Sequence, residues 1–152
     1  MDECAAEGDS MLTHTREELQ ALFLDMTGRT AEDSRILSIE QYGEDLIVAS
    51  ARFDESHLRP GGVIAGPNLF MAVDQMGYLV TMSRAPKGSN GFTSAISMQF
   101  LRPAPVGVLR VEGRLLKFGK RGSVVDTVLY SDGLDEPVAQ GVVTYVPLFP
   151  QP

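Results

Sequence analysis

From Val63 to Ser83 the chain runs VIAGPNLFMAVDQMGYLVTMS, 21 residues in which Asp74 is the single charge. A run so long and apolar either crosses a bilayer or lies at the centre of a core. Pro67, Asn68, Asp74 and Gln75 inside it, with no basic cluster at either end, favour the core. Gly66-Pro67-Asn68 reads as a helix start, because proline suits the first turn, where its missing donor costs nothing. The spacing predicts a helix over Gly66–Ser83. A lone carboxylate in such surroundings loses water on folding, a cost tolerated where the group is paired, hydrogen-bonded or used.

The rest of the chain must supply a surface to cover that helix. With 152 residues, 43% of them apolar, it can close one core, so a single domain over residues 1–152 is expected, with residues 1–14 as a flexible tail. A net charge of −7 and a pI near 4.7 argue against nucleic-acid and anionic-membrane partners. The one cysteine, Cys4, excludes an intrachain disulfide and fits a reducing, cytoplasmic setting. Met1-Asp2-Glu3 is acidic and no apolar stretch follows it, so no secretory signal is expected.

Thr15-Arg16-Glu17-Glu18 has the form of a capping box. Leu19, Leu22, Phe23 and Met26 follow at helical spacing, and Gly28 is a natural stop, which makes an amphipathic helix on the core's surface. Arg35–Glu40 and Leu46–Phe53 read as strands joined through Tyr42-Gly43-Glu44-Asp45. A loop, His57 to Gly62, leads into the apolar helix. After a second loop, Pro86–Gly91, come four strand-like runs: Phe92–Leu101, Val108–Leu116, Ser123–Tyr130 and Val138–Val146. Leu109, Val111 and Leu115 alternate with Arg110, Glu112 and Arg114, the pattern of a sheet with one dry and one wet face. The fold class that follows is α+β: an antiparallel sheet wrapped around one long central helix, with an extra N-terminal helix.

Two strands, a double-glycine loop, a long central helix and a four-strand meander resemble the hotdog fold. Within it, the phenylacetate-type acyl-CoA thioesterases carry a motif N-P-L-G-x-x-H-G-G, with an acid eight residues after the first glycine of H-G-G. Here Arg59-Pro60-Gly61-Gly62-Val63-Ile64-Ala65-Gly66-Pro67 aligns without a gap and Asp74 falls on the acid. Arg59 stands where the family has Asn, Ala65 where it has His, and Pro67 where it has the second Gly. The resemblance implies hydrolysis of an acyl-CoA thioester to free acid and CoA. It further implies Asp74 and the Gly66 amide as catalytic groups, no cofactor, and sites shared between subunits.

The spacing fits that architecture. Eight helical residues rise about 12 Å, so one thioester carbonyl cannot touch both Gly66 and Asp74 of a single helix. Two antiparallel helices across a two-fold axis would combine Gly66 of one subunit with Asp74 of the other, so a homodimer, or a dimer of dimers, is expected. The Gly66 N–H and the helix dipole would stabilise an oxyanion. Asp74 would activate water or attack the carbonyl itself. Against this, a buried Asp can simply hydrogen-bond its neighbours and fix an interface. The departures from the motif also allow a non-catalytic acyl-thioester binding or sensing protein.

The expected substrate contacts are Arg59, Gly62, His57 and Asn68 around the glycine loop, with Lys120 and Arg121 at a hairpin turn. The basic side chains suit the phosphates of CoA, since positive groups are few in so acidic a chain. Two histidines and one cysteine at unrelated spacings give no metal signature. No G-x-S-x-G elbow and no G-x-G-x-x-G fingerprint occur.

Overall fold

In the computed structural model, which describes residues 11–30 and 32–152, two helices pack on one six-stranded antiparallel sheet. Cys4 and most of the expected tail lie outside the described residues. Helix α1 is Arg16–Thr27. Thr15 Oγ1 accepts from Glu18 N at 3.1 Å, Glu18 returns the bond to Thr15 N, and Gly28 ends the helix in the left-handed region with φ 67°. Leu19 and Phe23 are fully buried, while Met26 is exposed. Thr13, just before the cap, donates its N–H to Ser83 O at 2.8 Å and its hydroxyl to Ala85 O at 2.5 Å.

The strands are β1 (Ser38–Tyr42), β2 (Leu46–Phe53), β3 (Leu58–Arg59), β4 (Val63–Ile64), β5 (Asn90–Phe100), β6 (Gly107–Lys117), β7 (Ser123–Ser131) and β8 (Ala139–Leu148). The first strand starts three residues later than its sequence pattern suggests. Asp33 takes Arg35 N at 3.0 Å and the Arg35 guanidinium, which holds 33–35 as a turn. The loop expected at 57–62 contains a small hairpin, β3 paired with β4.

The main sheet has the order β1-β2-β6-β7-β8-β5, so only β6, β7 and β8 form a meander. The expected four-strand meander is wrong at β5, which pairs with β8 at the far edge. The connection explains it. The link after β5 carries Pro103 and Pro105, which cannot form a tight ladder turn. It crosses the end of the sheet, with Leu101 N and Arg102 N on Val138 O and Ala104 O accepting Ile64 N at 2.8 Å.

Helix α2, Gly66–Met82, lies across the dry face, and no helix among the described residues is long and apolar enough to cross a membrane. It packs closely because small residues face it. A Cβ on Gly77 would strike Val143, and one on Gly113 would strike Met76. The core joins α2 to Ile47, Phe53, Leu109, Val111, Val125, Leu129 and Val143 of the sheet. Cover is incomplete at the helix's N-terminal half. Pro67 and Phe70 are exposed, and Met71 and Asp74 only half-buried. Asp74 is therefore not the deeply buried acid that the apolar run suggests, because the sheet reaches round one side of α2 and α1 covers only its later turns.

Candidate functional site

The start of α2 is built to leave one donor free. Its N-cap, Ala65, has no side-chain cap, Pro67 has no N–H, and Asn68 N bonds Ala65 O at 2.9 Å. Among the described residues nothing accepts the Gly66 N–H. A helix N-terminus with an uncommitted amide attracts negative charge.

The β3–β4 hairpin holds this terminus in place. Gly61 and Gly62 take φ 106° and 80°, conformations that need glycine. His57 O accepts Ala65 N at 3.2 Å and Asn68 Nδ2 at 3.1 Å. The His57 ring accepts Asp54 N at Nδ1, 3.0 Å, and packs edge-on to Phe53. His57 and Asn68, expected at the substrate, thus serve to fix the loop against the helix, and Gly62 serves its turn. Arg59, Gly61, Gly66, Leu69, Phe100 and Arg102 line a cleft of about 660 Å³. The Phe100 ring stands over Gly66, 3.6 Å from where a Cβ would be. Arg102, also on the rim, pairs with Glu136 at 2.9 Å.

Asp74 opens into a different cleft, of about 330 Å³, with Met26 and Arg29 from the α1 end, Met71 and Tyr78 from α2, Phe92 and Thr93 from β5, and Tyr145 from β8. Thr93 donates to Asp74 Oδ1 at 2.6 Å, which orients the carboxylate. Tyr78 and Tyr145 meet edge to face, ring centroids 5.9 Å apart. Burial pushes both phenols up to about 12, so they stay protonated at any ordinary pH. Arg29 pairs with Asp33 at 3.2 Å.

Register separates the remaining candidates. Phe53 pairs with Gly107 and Phe100 with Ala139, which sets the Arg59 cleft at one end of the sheet. Lys120 and Arg121 cap the β6–β7 turn, beside the Lys117↔Val124 pair, at the other end. One protomer therefore does not bring Arg59 together with Lys120 and Arg121. Thr93, Phe100 and Tyr145 were not found from sequence. Their only mark is position on β5 and β8, and a bulge at Thr93/Ala95 breaks the alternation that would have oriented them.

A family model described as the thioesterase superfamily matches residues 61–138, just over half of the chain and including both clefts' α2 residues. The chain belongs to the thioesterase superfamily. Sequence comparison finds a Saccharolobus solfataricus protein, provisionally named an esterase, 35% identical over 94 residues. That match takes in 62% of this chain and spans 61% of the relative's length. Among solved structures, a provisionally named thioesterase from Silicibacter sp. TM1040 is 28% identical with a TM-score of 0.77, covering 90% of this chain and 93% of its own. A Streptococcus pneumoniae protein named a hypothetical thioesterase, solved with coenzyme A, is 22% identical with a TM-score of 0.72 over 84% of this chain and 98% of its own. The thioesterase-superfamily fold is thus the hotdog arrangement, reached here with the β5 edge strand outside the meander.

Proposed function

We propose that the protein is an acyl-CoA thioesterase whose site forms between two copies of the chain. The observation that carries this is the division of labour along β5. Thr93 marks Asp74 and Phe100 marks Gly66, seven residues apart on one strand.

Strand β5 is an unpaired sheet edge with Phe92 and Phe100 51% and 55% exposed, the kind of edge that pairs with another strand. Antiparallel pairing of β5 with itself, centred on Ile96 or Ser97, sets Thr93 of one copy opposite Gln99 or Leu101 of the other. Those residues flank Phe100, so Asp74 of one copy comes to the Gly66 end of the other. The same pairing covers the exposed Pro67 and Phe70 and the half-buried Met71 beside Asp74.

In such a site the thioester oxygen takes the Gly66 N–H, which stabilises the negative charge developing there. Asp74 accepts a proton from water as the water oxygen bonds the carbonyl carbon. The carbon–sulfur bond then breaks, and the CoA sulfur takes that proton to leave as the thiol with the free acid. Direct attack by the carboxylate, through a mixed anhydride that water opens, uses the same atoms. Arg59 and Arg102 at the rim of the Gly66 cleft suit CoA phosphates, and the CoA held by the Streptococcus pneumoniae protein supports that ligand. The motif alignment that sets Asp74 on the acid of phenylacetate-type thioesterases supports its role. The acidic chain and single cysteine suit work in the cytoplasm.

A panel of acyl-CoA esters, with thiol release as readout, tests the proposal. The native protein should cleave at least one, and Asp74→Asn should lower kcat by about 10²–10⁴-fold, the usual cost of losing a general base. No turnover of any ester, or near-native kcat in Asp74→Asn, refutes it. The second outcome would make Asp74 a structural partner of Thr93.

A further inference from the structure

Arg114 and Lys117 at the end of β6, with Lys120 and Arg121 in the β6–β7 turn, gather unpaired positive charge at one end of the sheet. All four are exposed, and none makes a side-chain ion pair or hydrogen bond among the described residues. Most other Lys and Arg side chains are paired. No Asp or Glu occurs from Arg114 to Val125, and Asp126, in register with Arg114, accepts instead from Gln140 at 2.7 Å. In a chain of net charge −7 this is a local reversal of sign. Leu116, between Arg114 and Lys117, is 61% exposed, more than any other large apolar side chain among the described residues. Leu148, 51% exposed, adjoins Phe149, whose ring stacks on Phe118 of the turn with centroids 6.4 Å apart.

The turn is preformed. Gly122 N–H bonds Gly119 O at 3.2 Å, and the Phe118–Phe149 stack pins the turn to the end of β8. Such a surface loses little freedom on binding. A small anion would use the cations and leave the leucines idle, whereas cations around exposed apolar side chains suit a protein surface. A bilayer would need apolar residues at the tip, where Gly119, Lys120, Arg121 and Gly122 stand. An acidic partner is attracted here and repelled by the rest of the chain, so its approach is steered to the turn.

Position says what the partner brings. Antiparallel pairing of β5 sets the β6–β7 turn of one copy at the same end as the Arg59 and Gly66 cleft of the other. The strand order puts β7 three inter-strand spacings, about 15 Å, from the second copy's β5. We propose that the turn docks an acidic carrier protein that presents the acyl group as a thioester on a phosphopantetheine arm. CoA carries the same arm, so Gly66 and Asp74 meet an identical thioester. Water opens it at the same carbon–sulfur bond, giving the free acid and the carrier's thiol. A carrier has no nucleotide for Arg59 and Arg102 to hold, and contacts at the turn take over that recognition.

This inference rests on the thioesterase reading, and its test keeps the two apart. A panel of acidic carrier proteins is loaded with the acyl groups tested as CoA esters, and kcat/KM is compared for each group on the two supports. At least one carrier ester should be favoured by about tenfold or more at low salt, with the advantage falling as salt rises. Leu116→Ser with Lys117→Glu should remove most of that advantage through KM, leaving CoA esters and Tm unchanged. Lys117→Ala alone, a milder change, should cause a smaller loss in the same direction and serves if the double variant does not fold. If no ester of either kind is turned over, calorimetry with the loaded carriers and with phosphatidylserine vesicles reads the docking itself. Cleavage of CoA esters with no carrier ester favoured leaves the thioesterase reading standing and overturns the docking. An equal loss on CoA esters, which would make the turn a nucleotide site, overturns it too. So does carrier binding untouched by the substitutions, or binding of vesicles in place of carriers.

Discussion

Replacing Gly77 by alanine sets two effects of known size against each other. Gly77 is inside α2, where alanine is favoured over glycine by about 1 kcal/mol. A Cβ there would collide with a Val143 methyl and stand 3.0 Å from the Val143 Cβ. Val143 is fully buried on β8, a strand paired on both sides, and a β-branched side chain has little freedom at χ1. It cannot swing away, so relief must come from lifting α2. Overpacking of this kind costs about 1–3 kcal/mol, and the fixed neighbour puts this case in the upper half. The net expectation is destabilisation by about 1–2 kcal/mol, a fall of roughly 2–8 °C in Tm at this chain length. Because α2 carries Gly66, Asp74 and Tyr78, turnover should fall as well. Urea unfolding followed by circular dichroism measures the effect. A cycle with Val143→Ala isolates the clash, and the double variant should be more stable than the sum of the singles by well over 0.5 kcal/mol. A Gly77→Ala protein more stable than native, or additive singles, would refute the packing argument.

Thr93→Val removes the hydroxyl that orients Asp74. A hydrogen bond to a charged group contributes about 1.5–3 kcal/mol, less where half-exposed, so kcat should drop by about tenfold with KM little changed, and an unchanged kcat would count against the orienting role. Arg59→Ala and Arg102→Ala should raise KM for CoA esters, more at low salt. If instead Lys120→Ala or Arg121→Ala alone does so, the nucleotide lies at the other end of the sheet. Burial holds Tyr78 and Tyr145 to about 12, whereas an unfolded chain releases those protons near 10. Their contribution to stability is therefore whole below pH 10 and lost as pH rises towards 12, by up to about 1.4 kcal/mol per pH unit each. Denaturant titrations at pH 9, 10 and 11 check this, and flat stability across that range would contradict it. Light scattering at micromolar concentration should find a dimer, and a stable monomer would rule out a site shared across β5.

Local rules were legible in the sequence wherever a pattern and its punctuation agreed. The Thr15 capping box, the Gly28 stop, the Gly66 start and the β6–β8 hairpins all follow from residues within a few positions of one another. The same holds for the long apolar helix, since nothing but a core can receive it. The place of β5 was not legible. Its neighbour β8 is chosen by a proline-bearing link that crosses the sheet, a long-range pairing that adjacent residues do not encode. Asp74 and Gly66 stood out in the sequence through their isolation and spacing. That they open into separate clefts, and that Thr93 holds the carboxylate, only the tertiary structure decided. Each of these is a contact between α2 and strands that lie far from it in the chain. Such contacts are fixed by how the sheet twists round the helix and where a bulge turns its side chains, not by the residues that flank them.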